Sequence, residues 1–230
     1  MPSASYEARK GRLEHYFDRT AAETWARLTS DAPVSRIRAT VRQGREEMRT
    51  LILDWLGADL SGRRILDAGC GTGALSIEAA RRGAEVVAID IAANLVAVAR
   101  ERTPADLADR IAFHSGDMLD EGLGRFDHVV AMDSLIHYDA DDIARVIGRL
   151  APRTARSLVI TFAPRTPALM LMHAAGQLFP RSDRSPAIAP VAEARLRRLL
   201  SEGTPRVCPA RSHRIQRGFY TSQALEVLLP

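Results

Sequence analysis

Three acidic residues and one run of glycines carry the spacing that bears on chemistry in this sequence. The run is Ile65-Leu66-Asp67-Ala68-Gly69-Cys70-Gly71-Thr72-Gly73, an apolar strand pattern that breaks into glycines separated by single residues. Glycine lets the backbone turn sharply and lets a ligand lie against it. A ligand-free strand–helix turn would use glycines for the first reason alone. A dinucleotide site would want G-x-G-x-x-G with a pyrophosphate on the helix N-terminus. Here the spacing is G-x-G-x-G, and Asp67 ends the strand just before it, where a carboxylate repels phosphate but suits an ammonium group. Asp90 closes the next strand pattern, Val86-Val87-Ala88-Ile89-Asp90, about 20 residues past the loop, where a carboxylate accepts from both ribose hydroxyls. Asp117, in Gly116-Asp117-Met118, stands after the third strand pattern, a place for an acid to take the amino hydrogen of an adenine. An adenosine with a zwitterionic tail and no phosphate is S-adenosyl-L-methionine, whose product is S-adenosyl-L-homocysteine.

The elements that must position these residues follow from periodicity. Residues 5 to 56 read as helical, with Val34, Ile37, Val41, Met48, Leu51, Ile52 and Trp55 on a broken apolar stripe, and Asp31 and Pro33 at a helix start. Then strands and helices alternate: strand 63–67, helix 72–82 stopped by Gly83, strand 85–90, helix 94–102 and strand 111–114. Strand 126–132, a helix from Asp141 and strand 157–162 continue the pattern. Such alternation gives parallel βαβ units and a doubly wound sheet. Pro164, Pro167, Pro180, Pro186 and Pro190 surround an apolar run, Ala168 to Leu178, which reads as an insertion over the sheet. A helix at 191–200 and a terminal hairpin through Tyr220 are expected after it.

Composition narrows the class. The chain has 230 residues, 46% apolar and 26% charged, which excludes a disordered chain, a collagen-like fibre and a coiled-coil rod. No window is apolar enough to span a bilayer, and Glu7, Arg9, Lys10, Arg12, Glu14 and Asp18 leave no signal-peptide core. Cys70 and Cys208 are the only cysteines, too few for a disulfide scaffold or a four-thiolate metal site, so a cytoplasmic location is expected. Net charge is +4, with Lys10 the single lysine among 32 basic residues. The cations are scattered and aromatics are few, which argues against nucleic acid.

The loop with its acids resembles that of the class I methyltransferases, in which D-x-G-x-G-x-G holds the methionine end of the cofactor. The flanks resemble one family in particular, over nearly the whole chain. They are His15-Tyr16-Phe17-Asp18-Arg19-Thr20, Trp25, Arg36-Ile37-Arg38-Ala39-Thr40-Val41-Arg42, Gly44-Arg45, Met132-Asp133-Ser134-Leu135-Ile136-His137-Tyr138, Thr161-Phe162-Ala163-Pro164-Arg165-Thr166-Pro167 and Gly218-Phe219-Tyr220-Thr221-Ser222. These are similar to the magnesium-protoporphyrin IX O-methyltransferases, in the version found in purple photosynthetic bacteria. Oxygenic members carry a tyrosine a few residues after the tryptophan, where Thr29 stands here, so no role of that tyrosine transfers.

The resemblance implies an α/β Rossmann-like fold with a seven-stranded, mostly parallel sheet, helices on both faces and a reversed last strand. It implies an N-terminal helical arm over 1–58 and a cofactor-binding domain over 59–230, with an insertion at about 164–190 after strand 5. It also implies methyl transfer from S-adenosyl-L-methionine to a propionate carboxylate of Mg-protoporphyrin IX, giving the monomethyl ester in bacteriochlorophyll synthesis. The large subunit of magnesium chelatase is a candidate partner, and the inner face of the photosynthetic membrane a candidate contact. Alternatives are a methyltransferase for a quinone or phenol, and a porphyrin-delivery protein without chemistry.

A propionate with a pKa of roughly 4–5 is already ionised at pH 7, so the nucleophile needs no general base. In-line displacement then requires positioning and removal of water. His137 is the candidate to orient the carboxylate; a loop-capping role is the plain alternative. The expected cofactor set is Asp67, Gly69, Cys70 as a small spacer, Gly71, Asp90, Ile91, Asp117, Met118, Asp133 and, from the arm with Trp25, Tyr16. For the substrate, Arg36 and Arg165 lead a set of cations that includes Arg38, Arg42 and Arg45, with Tyr138 and, in the apolar insertion, Met172. His137 or His173 could meet the central magnesium, but neither has metal-site spacing, and no protein-bound metal is expected.

Overall fold

A computed structural model of the chain describes residues 4–16, 36–165, 188–203 and 207–229. Helices α1 (Ala4–His15) and α2 (Arg36–Leu56) precede β1 (Arg64–Ala68), α3 (Ala74–Arg81), β2 (Glu85–Asp90), α4 (Ala93–Arg102) and β3 (Ile111–Ser115). Then come β4 (Phe126–Ala131), α5 (Ala140–Leu150), β5 (Thr154–Phe162), α6 (Glu193–Gly203), β6 (Cys208–Arg217) and β7 (Tyr220–Leu228). The strands form one seven-stranded sheet in the order β3-β2-β1-β4-β5-β7-β6. Pairing is parallel from β3 to β5 and antiparallel on both sides of β7. This is the expected sheet with its reversed last strand.

Alternation along each strand sorts side chains to the two faces. Ile65, Val86, Ala88, Val130 and Val159 face α2, α3 and α4, while Leu66, Val87, Ile89, Val129 and Ile160 face α5, α6 and Tyr6 and Leu13 of α1. Parallel strands covered on both faces read as continuous apolar runs, as these do. Met48, Ile52 and Leu53 of α2 are fully buried, so that helix is part of the core. Each such side chain contributes about 1.5–3 kcal/mol by leaving water.

Several boundaries shift by a few residues from the expected ones, and two of the shifts have a clear local cause. Strand β5 begins at Thr154, which pairs with Phe126, and Ala155 and Arg156 are exposed in the irregular stretch before the Ser157–His128 pair, so no apolar signal marks them. Helix α3 begins at Ala74, since Gly73 takes the left-handed conformation (φ 80°) at its N-cap. The apolar run 168–178, with Met172 and His173, lies outside the described residues, as do Trp25 and Thr29. Chain order runs outward from β1 in both directions, through β2 to β3 and through β4 to β5. Ligands of such sheets bind beyond the carboxyl ends of the strands at that reversal.

Candidate active site

The glycine loop leaves β1 at this reversal. Gly69, Gly71 and Gly73 all have positive φ (92°, 53° and 80°), a conformation costly for other residues. Gly69 N–H and Cys70 N–H both donate to the Ile89 carbonyl (2.8 and 3.0 Å), and Gly73 N–H donates to Cys70 O (2.9 Å). Gly71 N–H donates to Asp90 Oδ2 (2.8 Å). These four donors are spent on the protein, so they form no cradle for a phosphate. A Cβ at Gly71 would meet nothing within 4 Å, because that position opens on a cavity of about 300 Å³. The loop therefore offers room beside the Asp90 carboxylate, which fits a cationic ligand and not a pyrophosphate.

Asp67 lies beneath the loop, 1% exposed, and accepts from Ser76 Oγ in the first turn of α3 (2.5 Å). It does not line the cavity. Burial lifts its pKa to about 7, with the Asp90 charge adding to the rise and the Ser76 hydrogen bond opposing it. Asp90 lines the cavity. Its oxygens accept from Gly71 N–H and Ala92 N–H (2.8 and 2.9 Å). Each carboxylate oxygen has a second lone pair, enough for two ribose hydroxyls. Cys70 is a buried spacer whose thiol is pushed well up by burial and by Asp67 and Asp90, so it is no thiolate.

Asp117 brings the N-terminal helix to the cavity. Its Oδ1 accepts from Tyr6 Oη and Leu119 N–H (both 2.9 Å), and its Oδ2 from Lys10 Nζ (2.9 Å). Burial works to raise its pKa, but the hydrogen bonds of Leu119, Lys10 and Tyr6 outweigh it and hold the carboxyl below the ordinary value. Tyr6 also stacks on Tyr138 (5.3 Å between rings), and Arg9 lies over that second ring at 5.7 Å. Arg9 Nη1 donates to the His137 carbonyl (2.7 Å). Tyr6 and Lys10 were not anticipated as site residues. Tyr6 and Leu13, one heptad apart on α1, give the helical spacing that signals a buried face.

A second cluster gathers on Asp133, just past β4. It is the only non-glycine residue with positive φ (55°) among the described residues. Asp133 Oδ1 accepts from Tyr220 Oη (3.1 Å), Thr161 Oγ1 (3.3 Å) and Ser222 Oγ (3.5 Å), and Oδ2 pairs with Arg45 Nε (3.3 Å). Its own N–H donates to Thr161 Oγ1 (2.8 Å). Asp133, Arg45 and Tyr220 all line the cavity. Burial and the Asp133 charge push the Tyr220 phenol far above its ordinary pKa, so Tyr220 is a hydrogen-bond donor and not a base.

The structure thus gathers Gly69, Gly71, Asp90, Ile91, Asp117, Met118, Asp133, His137 and Tyr138 around one cavity. His137 is 6% exposed on its wall. Tyr16 ends the described arm, and neither it nor the exposed Arg165 lines the cavity. The Arg36 side chain and Met172 lie outside the described residues. Of the four candidate arginines whose side chains are described, Arg45 lines the cavity, sharing a face of α2 with Val41 and Met48.

A general methyltransferase-domain model matches residues 65–155, and the model described as "Magnesium-protoporphyrin IX methyltransferase C-terminus" matches residues 131–228. The chain is 50% identical over 227 residues to the magnesium-protoporphyrin O-methyltransferase of Rhodobacter capsulatus, covering 98% of this chain and 99% of the relative. This chain belongs to the magnesium-protoporphyrin IX O-methyltransferase family. A Synechocystis member is 32% identical over 94% of both chains. The crystal structure of magnesium protoporphyrin IX methyltransferase from Synechocystis PCC 6803 with bound SAH superimposes with a TM-score of 0.85 at 31% identity, covering 96% of this chain and 100% of that one. The cofactor is therefore S-adenosyl-L-methionine.

Proposed function

We propose that this chain transfers a methyl group from S-adenosyl-L-methionine to one propionate carboxylate of Mg-protoporphyrin IX, giving the monomethyl ester for bacteriochlorophyll synthesis. The observation that carries this reading is the 50% identity to the Rhodobacter enzyme along 98% of the chain. In this reading residues 59–230 carry the chemistry, and within residues 1–58 helix α1 caps the cavity while α2 joins the core and supplies Arg45.

When bound, the cofactor would supply a methyl group on positively charged sulfur: a carboxylate oxygen bonds to the methyl carbon in line while the carbon–sulfur pair returns to sulfur, and S-adenosyl-L-homocysteine leaves. No proton moves in that step. The chain's residues therefore bind, orient and exclude water. The loop at Gly69 and Gly71, with Asp67 beneath it, holds the amino-acid end, and Asp90 holds the ribose. Asp117, Ile91 and Met118 border the adenine. Asp133 holds Arg45 and Tyr220 at the acceptor side. His137, on the wall past β4, donates to the propionate, and Tyr138 backs it. Arg36, Arg165, Tyr16 and Met172 would act from the rim.

The substrate is the product of magnesium insertion and is sparingly soluble. We therefore read hand-over from the large subunit of magnesium chelatase, on the cytoplasmic side with peripheral membrane contact. Co-purification of the two proteins tests this.

The activity is tested with purified protein, labelled S-adenosylmethionine and a panel of acceptors. Mg-protoporphyrin should gain a methyl ester, and its dimethyl ester, which lacks a free carboxylate, should gain none. Label appearing on a phenol or quinone in preference to the porphyrin would refute the reading.

A further inference from the structure

Three large apolar side chains stand exposed among the described residues: Ile188 (41%), Phe219 (59%) and Leu228 (43%). Two of them, Ile188 and Phe219, line the cavity. Exposing an apolar side chain forgoes the free energy of burial, and apolar surface concentrated at a cavity mouth marks a ligand contact.

Phe219 is also fastened in place. It sits in the turn between β6 and β7, beside Gly218 (φ 54°), where a Cβ would press on Thr40 of α2 (2.9 Å to its Cβ). On its other side Tyr220 packs so closely on Gly44 that a Cβ there would lie 2.8 Å from ring Cγ and nearer still to Cδ1. Arg217 Nε pairs with Glu47 of the same helix (2.8 Å), and Tyr220 Oη donates to Asp133 (3.1 Å). Ile188 is held by its neighbour, whose Ala189 N–H donates to the Ile136 carbonyl (2.9 Å), one residue before His137. Both apolar groups are thus presented by anchored backbone, which reduces the ordering cost of binding.

Their place in the chain says which ligand they meet. The general methyltransferase match ends at residue 155, whereas the family's own match runs on to residue 228. Beyond residue 155 the cavity wall is made by Ala163, Ile188, Phe219, Tyr220, Thr221 and Ser222. The cofactor end of the cavity belongs to the general part, so this wall faces the acceptor.

We propose that Phe219 and Ile188 grip the flat macrocycle of the acceptor, Phe219 by stacking, while the polar cluster behind them receives the propionate. This deepens the functional reading above and rests on it. Aromatic groups prefer offset-stacked contact, and a tetrapyrrole presents a broad aromatic face for it. Phe219 then sets preference for a planar macrocycle over a small carboxylate.

The test uses the full chain and titrates Mg-protoporphyrin by quenching of porphyrin fluorescence. Phe219→Ala should weaken porphyrin binding about tenfold or more and raise KM with kcat little changed. Phe219→Trp should bind as the native protein does. S-adenosylmethionine affinity by calorimetry should stay within about twofold in both. Native porphyrin affinity in Phe219→Ala would overturn the proposal. So would loss of that variant's pelleting with phosphatidylglycerol vesicles at unchanged porphyrin affinity, since Phe219 would then serve a lipid surface. If the native protein itself fails to methylate Mg-protoporphyrin, the functional reading falls first and this inference with it.

Discussion

Replacing Asp67 by Asn should make the cofactor-free protein more stable at neutral pH than at pH 5, relative to the native chain. The carboxyl is 1% exposed, and its pKa rises from an ordinary 3.8 to about 7. Between those values the folded chain keeps a proton that the unfolded chain releases. Stability from this group is therefore full below about pH 4, falls as pH rises to about 7 and is flat beyond it. The slope is about 1.4 kcal/mol per pH unit, so the loss between pH 5 and pH 7 is roughly 2–3 kcal/mol. Asn keeps an oxygen for the Ser76 hydroxyl and carries no charge, so Asp67→Asn lacks this loss. Urea unfolding followed by circular dichroism at pH 5, 6, 7 and 8 measures it, and Asp90, present in both proteins, largely cancels in the difference. The stability gap should widen in favour of the variant by roughly 2–3 kcal/mol across that range. Parallel pH profiles would mean that Asp67 ionises as an ordinary carboxyl, and the account of the loop would fail.

Asp90→Ala should raise the dissociation constant for S-adenosylmethionine about tenfold or more in calorimetry, since a hydrogen bond to a charged group is worth roughly 1.5–3 kcal/mol. Porphyrin affinity should change little. Gly71→Val should abolish cofactor binding with near-native circular dichroism, because the new side chain enters the cavity and a β-branched residue resists a φ of 53°. His137→Asn should keep much of the activity and His137→Ala less, as Asn still donates to a carboxylate. A native rate that climbs through a pKa near 6.5 and loses that slope in both variants would instead mark a general base.

The sheet was legible because its strands are buried on both faces and the loop's glycines sit where only glycine fits. Asp90 and Asp117 were legible for a related reason, since strand ends in a doubly wound sheet converge on one edge. What stayed hidden depends on contacts between distant parts of the chain. Tyr6 meets Asp117 across 111 residues, and no local pattern announces that pairing. Arg45 ranked behind Arg36 and Arg165 among five candidate arginines, because only the packing of α2 turns it inward with Val41 and Met48. The role of the Gly218–Ser222 corner also came from packing, because Gly44 and Thr40 that fasten it lie on another element.

The Asp133 cluster bears on how such a chain could be recombined. Asp133 stands in the stretch, 131–155, shared by the general and the family-specific matches. Its carboxylate receives Arg45 from upstream and Thr161, Tyr220 and Ser222 from downstream. A graft that moved only the segment after residue 155 onto another methyltransferase would carry three donors and leave their shared acceptor behind. Groups that act through one acceptor lose their effects together and not one at a time. If this cluster sets acceptor preference as proposed, that preference is inherited as a unit that includes α2 and the end of β4, and a functional chimera takes its junction upstream of Arg45.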